Sequence, residues 1–189
     1  MTKTTSNVRL LAESAVMIAL ALVLNMIVFF TLPNGGEVTL FSMLPILLIG
    51  IKNGPRWGFG TAFVYSVIQL LLSLAKVMAW GLSPTVLIMC MLFDYLIAYT
   101  VLGVSGFFGG GGRLRALLGV CLGIALRFVC HFISGITIWA TWADGFASVM
   151  LYSLGYNGSY MLAELVLTAV VTALLLQIPQ IRKLLDLHA

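Results

Sequence analysis

Apolar runs of bilayer length recur along this chain, and one of them, Leu114 to Trp139, holds Arg127 and His131 four residues apart. A spanning helix needs about 20 apolar residues, so such a run belongs in a bilayer or a fully buried core. A guanidinium at membrane depth is unfavourable by roughly 2.5–3.5 kcal/mol on insertion scales, and it is usually functional. The spacing of four puts both side chains on one helix face, and Gly135 and Trp139 continue that face. Composition rules out a soluble core: 61% of the 189 residues are hydrophobic and 8% charged, against about 25% charged in a soluble domain. The expected fold is an all-α integral membrane protein, a single membrane-embedded domain over residues 1–189.

Six runs predict a bundle of six transmembrane helices: Leu10–Leu32, Val38–Ile51, Trp57–Ala75, Pro84–Phe108, Leu114–Trp139 and Tyr160–Ile178. The second is short and contains Pro45, but charge keeps it as a span. With six crossings and cytoplasmic N- and C-termini, the inner side holds Lys3, Arg9, Lys52, Arg56, Arg113, Arg115, Arg182 and Lys183. The outer side holds only Lys76, which is the positive-inside pattern. Cations scattered at segment ends orient a membrane protein and do not point to nucleic acid. Cys90, Cys121 and Cys130 lie inside apolar runs without metal-ligand spacing and read as small core residues. No metal or cofactor is expected.

The inner links are short and basic, Lys52–Arg56 and Gly109–Arg115. The outer links, Leu32–Glu37 and Trp139–Asn157, are longer and suggest a lid over a site that opens outward. At ~1.5 Å per helical residue, His131 lies roughly 10–12 Å below the outer surface, Arg127 roughly 17 Å, Asp94 roughly 15 Å and Glu164 roughly 5–9 Å. The inner half of these helices carries no such groups, apart from Glu13 near the inner interface. An ion relay needs titratable groups along its whole path, whereas a pocket gathers them at one depth. The pattern is that of a pocket, with a structural Asp94–Arg127 pair as the plainer reading of two of its members.

Aromatic residues surround the same level: Trp139, Trp142, Tyr152, Tyr156 and Tyr160 near the last outer link, with Tyr95 beside Asp94 and Tyr65 in the third run. An interfacial belt accounts for some of these but not for Tyr65, Tyr95 or Asp94 at depth. Aromatic faces with a carboxylate hold a flat cationic heterocycle by stacking, cation–π attraction and a charge-assisted hydrogen bond. Small-xxx-small pairs stand at Ala15/Ala19, Gly119/Gly123 and Ala169/Ala173 and let helices approach closely. The Ala15/Ala19 face is the best candidate for an external partner helix. The chain has no phosphate-binding GxxxxGK[ST] loop, so ATP-driven transport would need another subunit.

Several distinctive blocks stand in order along nearly the whole chain: Asn7-Val-Arg-Leu-Leu with Ala15/Ala19, Leu32-Pro-Asn-Gly-Gly-Glu-Val-Thr-Leu, Asp94-Tyr95, Arg127-Phe-Val-Cys-His131-Phe-Ile-Ser-Gly135, and Tyr152-Ser-Leu-Gly-Tyr-Asn157 running on to Glu164. Together they resemble the substrate-binding S components of energy-coupling factor (ECF) vitamin transporters, specifically the thiamin-binding type. The resemblance implies a six-helix, non-enzymatic binder of thiamin in the bacterial plasma membrane. It also implies an ECF module as partner, made of a transmembrane coupling subunit and two ATPase subunits. Asp94 would contact the ligand, with polar contacts from His131, Tyr152 and Asn157 and a stacking ring from Trp139. Tyr95, Gly135, Arg127 and Tyr65 match pocket positions, and Ala15/Ala19 the docking surface.

Some relatives carry Glu at the position of Asp94, Lys at that of Arg127, and a Trp in the first outer link where this chain reads Gly35-Gly36-Glu37. That aromatic wall is either missing or supplied otherwise, with Trp142 and Tyr156 as the candidates. The alternatives are an S component for a related heterocycle, such as a pyrimidine precursor of thiamin, or a stand-alone secondary transporter. The clean inner half and the absence of an internal repeat count against the transporter. An intramembrane enzyme would need a nucleophile or metal cluster beside His131 and Asp94.

Overall fold

The computed structural model of the chain describes residues 7–32, 36–139 and 145–187. Lys3, residues 33–35 and Trp142 lie outside the described residues. Helix α1 spans Asn7–Asn25, a hairpin follows with β1 Val28–Thr31 and β2 Glu37–Thr39, and α2 spans Leu44–Ala79. Then come α3, Pro84–Phe108, α4, Arg113–Thr137, α5, Phe146–Leu175, and the short α6, Pro179–Leu184. Among the described residues, five helices, α1 to α5, are long and apolar enough to cross a membrane. Their outward faces carry exposed Phe63, Leu71, Leu72, Leu118, Leu151, Leu162 and Leu174, as a lipid-facing surface requires.

Helix α2 contains two of the six predicted runs. It breaks at Gly54, where φ is 83° and ψ 175°. The cause is local: Pro55 has no N–H and its ring clashes with the preceding turn, the residue before proline is pushed to extended ψ, and glycine alone takes positive φ cheaply. The chain folds back there, since a Cβ on Gly58 would stand 2.9 Å from Gly50 Cα. The first arm, residues 44–53, rises only about 15 Å at ~1.5 Å per residue, half of a ~30 Å core. It is tolerated because it sits inside the bundle, with Leu44, Ile46, Leu47 and Ile51 buried and no lipid to face.

The two arms and α3 meet backbone to backbone. A Cβ on Gly103 would lie 2.5 Å from both N and Cα of Phe59, and one on Gly106 2.5 Å from Cα of Pro55. Without a hydrophobic drive between helices in lipid, close packing of this kind holds the bundle. Gly103→Val is therefore expected to destabilise by about 1–3 kcal/mol or more. The check is the melting temperature of the detergent-solubilised chain, and an unchanged value would contradict the contact.

Three boundaries differ from the sequence reading. The first run was expected to stay helical to Leu32, but α1 ends at Asn25 and Val28–Thr31 is a strand. A stretch rich in Val, Phe and Thr fits a pleated surface, and an apolar run alone does not separate helix from strand. The strands pair antiparallel, with Val28 opposite Thr39 and Thr31 opposite Glu37, and a bulge falls between Val28 and Phe30. The second predicted helix starts only at Leu44. The last helix begins at Phe146 rather than Tyr160, turning most of a predicted outer loop into helix. Its small and polar residues look like a loop in isolation, but here they bond the neighbouring helix: Ser153 Oγ donates to Phe132 O at 2.9 Å and Asn157 Nδ2 to His131 O at 3.1 Å.

Candidate functional site

A cavity of about 600 Å³ opens between the hairpin and α2 to α5, within the ~300–1,000 Å³ range of small-molecule sites. Three helices contribute stripes at helical spacing. Helix α2 and its C-cap present Gln69, Ser73, Lys76 and Trp80; α4 and the residues after it present Arg127, His131, Gly135 and Trp139; α5 presents Tyr152, Tyr156, Tyr160 and Glu164. Side chains three or four apart stack on one helix face, so each stripe is a direct consequence of spacing. Helix α3 does it differently. Met91–Ile97 runs as a π-helix, whose i→i+5 bonding brings Asp94 and Tyr99, five apart, to the same cavity wall alongside Tyr95.

Asp94 is the most heavily engaged group. Its Oδ1 lies 3.0 Å from His131 Nδ1, while Oδ2 accepts from Ser134 Oγ at 2.6 Å and Cys90 Sγ at 3.4 Å, with Trp139 Nε1 pointing at it from 3.5 Å. Arg127 Nε donates to His131 Nε2 at 3.3 Å. Because arginine can only donate, Nε2 is the acceptor and the ring proton sits on Nδ1, directed at Asp94. The guanidinium carbon lies 4.0 Å from the centroid of the Tyr99 ring, a cation–π contact. The expected Asp94–Arg127 pair is thus relayed through His131 rather than direct.

Aromatic rings form the remaining walls. Trp80 and Trp139 meet edge to face with centroids 5.2 Å apart, Tyr152 and Tyr156 stack at 5.8 Å, and Tyr160 stands edge-on to Tyr156 and to His131 at 6.0 Å from each. Asn157 is held by Tyr160 Oη, which donates to its Oδ1 at 2.9 Å. Gly135 leaves no room for a side chain: a Cβ there would stand 2.1 Å from Ser153 Oγ. The hairpin closes one side. Gly36 N donates to Tyr156 Oη at 3.0 Å, Lys76 and Glu37 pair at 3.4 Å across the rim, and the backbone N–H and hydroxyl of Thr39 both donate to Glu164 Oε1.

Asp94, Tyr95, Arg127, His131, Gly135, Trp139, Tyr152, Asn157 and Glu164 all line this cavity. Tyr65 does not. It is buried behind the wall, edge-on to Tyr99 with centroids 5.2 Å apart and accepting from Gln69 Nε2 at 2.6 Å. Glu164 sits far along α5, about 27 Å from its first residue at ~1.5 Å per residue, not near an outer end. Sequence reasoning missed Gln69, Ser73, Trp80, Tyr99, Ser134 and Thr39. The Gln69–Trp80 stripe was available as a polar, aromatic-ended face at helical spacing. Tyr99 stands four residues after Tyr95, a helical spacing that sequence reasoning did not use. Of the two rings expected to replace the missing loop Trp, Tyr156 lines the cavity and Trp142 lies outside the described residues, while Trp80 adds a further wall.

The chain matches the family described as "Thiamine transporter protein (Thia_YuaJ)" over residues 11–183. It belongs to that family. Among its relatives, the thiamine transporter ThiT of Bacillus subtilis (strain 168) is 30% identical over 179 residues, covering 87% of this chain and 88% of that one. ThiT of Lacticaseibacillus paracasei is 28% identical over 184 residues, with 89% and 88% covered. A solved structure of ThiT from Listeria monocytogenes superposes with a TM-score of 0.73 at 21% identity, over 97% of this chain and 100% of that one, and it shares the fold. The family membership and the helical bundle make this a multi-pass bacterial membrane protein.

Proposed function

We propose that this chain captures thiamin from outside the cell and acts as the S component of an ECF-type importer. Energy would come from a transmembrane coupling subunit and two ATPase subunits, with both termini of the chain cytoplasmic. The observation that carries the reading is the cavity itself, in a member of a thiamine transporter family. It combines walls of Trp and Tyr rings with three carboxylates, one guanidinium and one ammonium, a net negative lining with neutral His131. Such a lining suits a flat aromatic cation. In this reading Trp139 stacks on the ligand and Asp94 supplies the attracting charge. His131, Tyr152 and Asn157 make polar contacts, Tyr95, Gly135, Arg127 and Glu164 complete the lining, and Tyr65 backs Tyr99.

Ala15 and Ala19 are exposed on α1, on the side away from buried Ser14, Ile18 and Ala21. They form the surface proposed for the coupling subunit. Titration of the detergent-purified chain with thiamin, followed by tryptophan fluorescence, tests the ligand. Saturable quenching at submicromolar thiamin is expected, and it should weaken in Trp139→Phe. Silence to thiamin with a response to another heterocycle would move the substrate and overturn the vitamin assignment.

A further inference from the structure

Of the three carboxylates lining the cavity, Glu37 pairs with Lys76 at the rim, and the two deeper ones, Asp94 and Glu164, are in opposite states. Asp94 has both oxygens engaged by protein donors. Glu164 is 3% exposed and has Oε1 bound to Thr39, yet its Oε2 is buried with no hydrogen-bond partner among the described residues. A buried acceptor left unsatisfied is unfavourable and uncommon in native structures, more so in a bundle that excludes water. The same carboxylate reaches in two directions: Oε1 holds the end of β2, where Thr39 also contacts Ser42 Oγ at 2.7 Å, and the residue lines the cavity.

We propose that Glu164 is shared between ligand and hairpin: Oε1 anchors β2 through Thr39, and Oε2 is reserved for an N–H donor on the ligand, such as the exocyclic amine of an aminopyrimidine. Glu164 is then the carboxylate that makes the directional bond, while Asp94 acts through its charge. One carboxylate bonded on both sides couples occupancy of the cavity to the seating of the strand. A ligand donor would hold the Glu164 side chain in place and so tighten the Thr39 anchor. The inference rests on reading this cavity as the thiamin site.

The test combines thiamin titration with hydrogen–deuterium exchange of residues 36–42, on the purified wild-type chain and on Glu164→Gln, Thr39→Val and Thr39→Ser. In the wild type, thiamin is expected to slow exchange at Thr39. Glu164→Gln keeps an oxygen for Thr39 but offers the ligand an amide donor in place of an acceptor. It should lose roughly tenfold or more in affinity, keep wild-type protection at Thr39 without ligand, and lose the ligand-dependent slowing. Thr39→Val should exchange faster without ligand, and Thr39→Ser should restore the wild-type rate; the loss of ligand-dependent slowing in Glu164→Gln is the result that a merely stabilising role would not produce. Affinity of Glu164→Gln within about twofold of wild type, or wild-type exchange at Thr39 that ignores thiamin, would overturn the proposal. The wild-type exchange measurement decides even if a variant fails to fold. A wild-type chain that binds no thiamin would instead refute the ligand assignment, and this inference with it.

Discussion

Asp94→Asn is expected to lose about 100-fold in thiamin affinity while the protein keeps its fold. The substitution preserves shape but removes charge. The new carbonyl can still accept from Ser134, whose hydroxyl lies 2.6 Å from Oδ2. The amide nitrogen, however, meets the Nδ1–H of His131, which now stands 3.0 Å from Oδ1. Two donors face each other, so His131 must turn or change tautomer, and its bond from Arg127 is lost with it. Charge-assisted hydrogen bonds contribute ~1.5–3 kcal/mol, and the missing negative charge is felt most in a site shielded from water. About 100-fold corresponds to those terms together, at ~1.4 kcal/mol per factor of ten. Calorimetric titration of the two proteins checks it. Equal affinity would mean that the carboxylate contributes nothing to the ligand.

Ala15→Leu should produce the opposite separation: unchanged thiamin binding and coupled uptake reduced by about tenfold or more, because a Leu holds a partner helix away from a small-residue face. The substitution enlarges an exposed position on α1. The buried face, Ser14, Ile18 and Ala21, with Ser14 Oγ accepting from Thr61 Oγ1 at 3.1 Å, is untouched, as is the distant cavity. ATP-driven uptake in liposomes containing the chain with the proposed coupling and ATPase subunits gives the readout, beside binding by the isolated chain. Wild-type uptake by the variant would place the coupling surface elsewhere.

Most of the cavity lining was legible because helical spacing is a property of the chain alone. Arg127, His131, Gly135 and Trp139 share a face wherever that helix lies. What was hidden was everything that depends on which element stands opposite. The hairpin was read as helix because Ile27-Val-Phe-Phe-Thr31 is apolar, and hydropathy carries no pairing information. The start of α5 was read as a loop because Tyr, Ser, Gly and Asn look like turn residues until a neighbouring helix supplies their partners. Glu164 was expected near the surface for the same reason, since its depth followed from the misplaced helix start.

The amino-acid order by itself determined that this chain lives in a bilayer, where its apolar runs lie, where it reverses at Gly54-Pro55, and which faces carry charge and aromatic rings. These follow from hydropathy, backbone stereochemistry and the helical repeat, each of which acts over a few residues. Only the tertiary structure decided that Asp94 reaches Arg127 through His131, that a π turn brings Tyr99 into the cavity, and that Glu164 holds β2. Those contacts join residues up to 125 positions apart. Their geometry is set by how closely the glycine-lined helices pack, which no local property of the chain encodes.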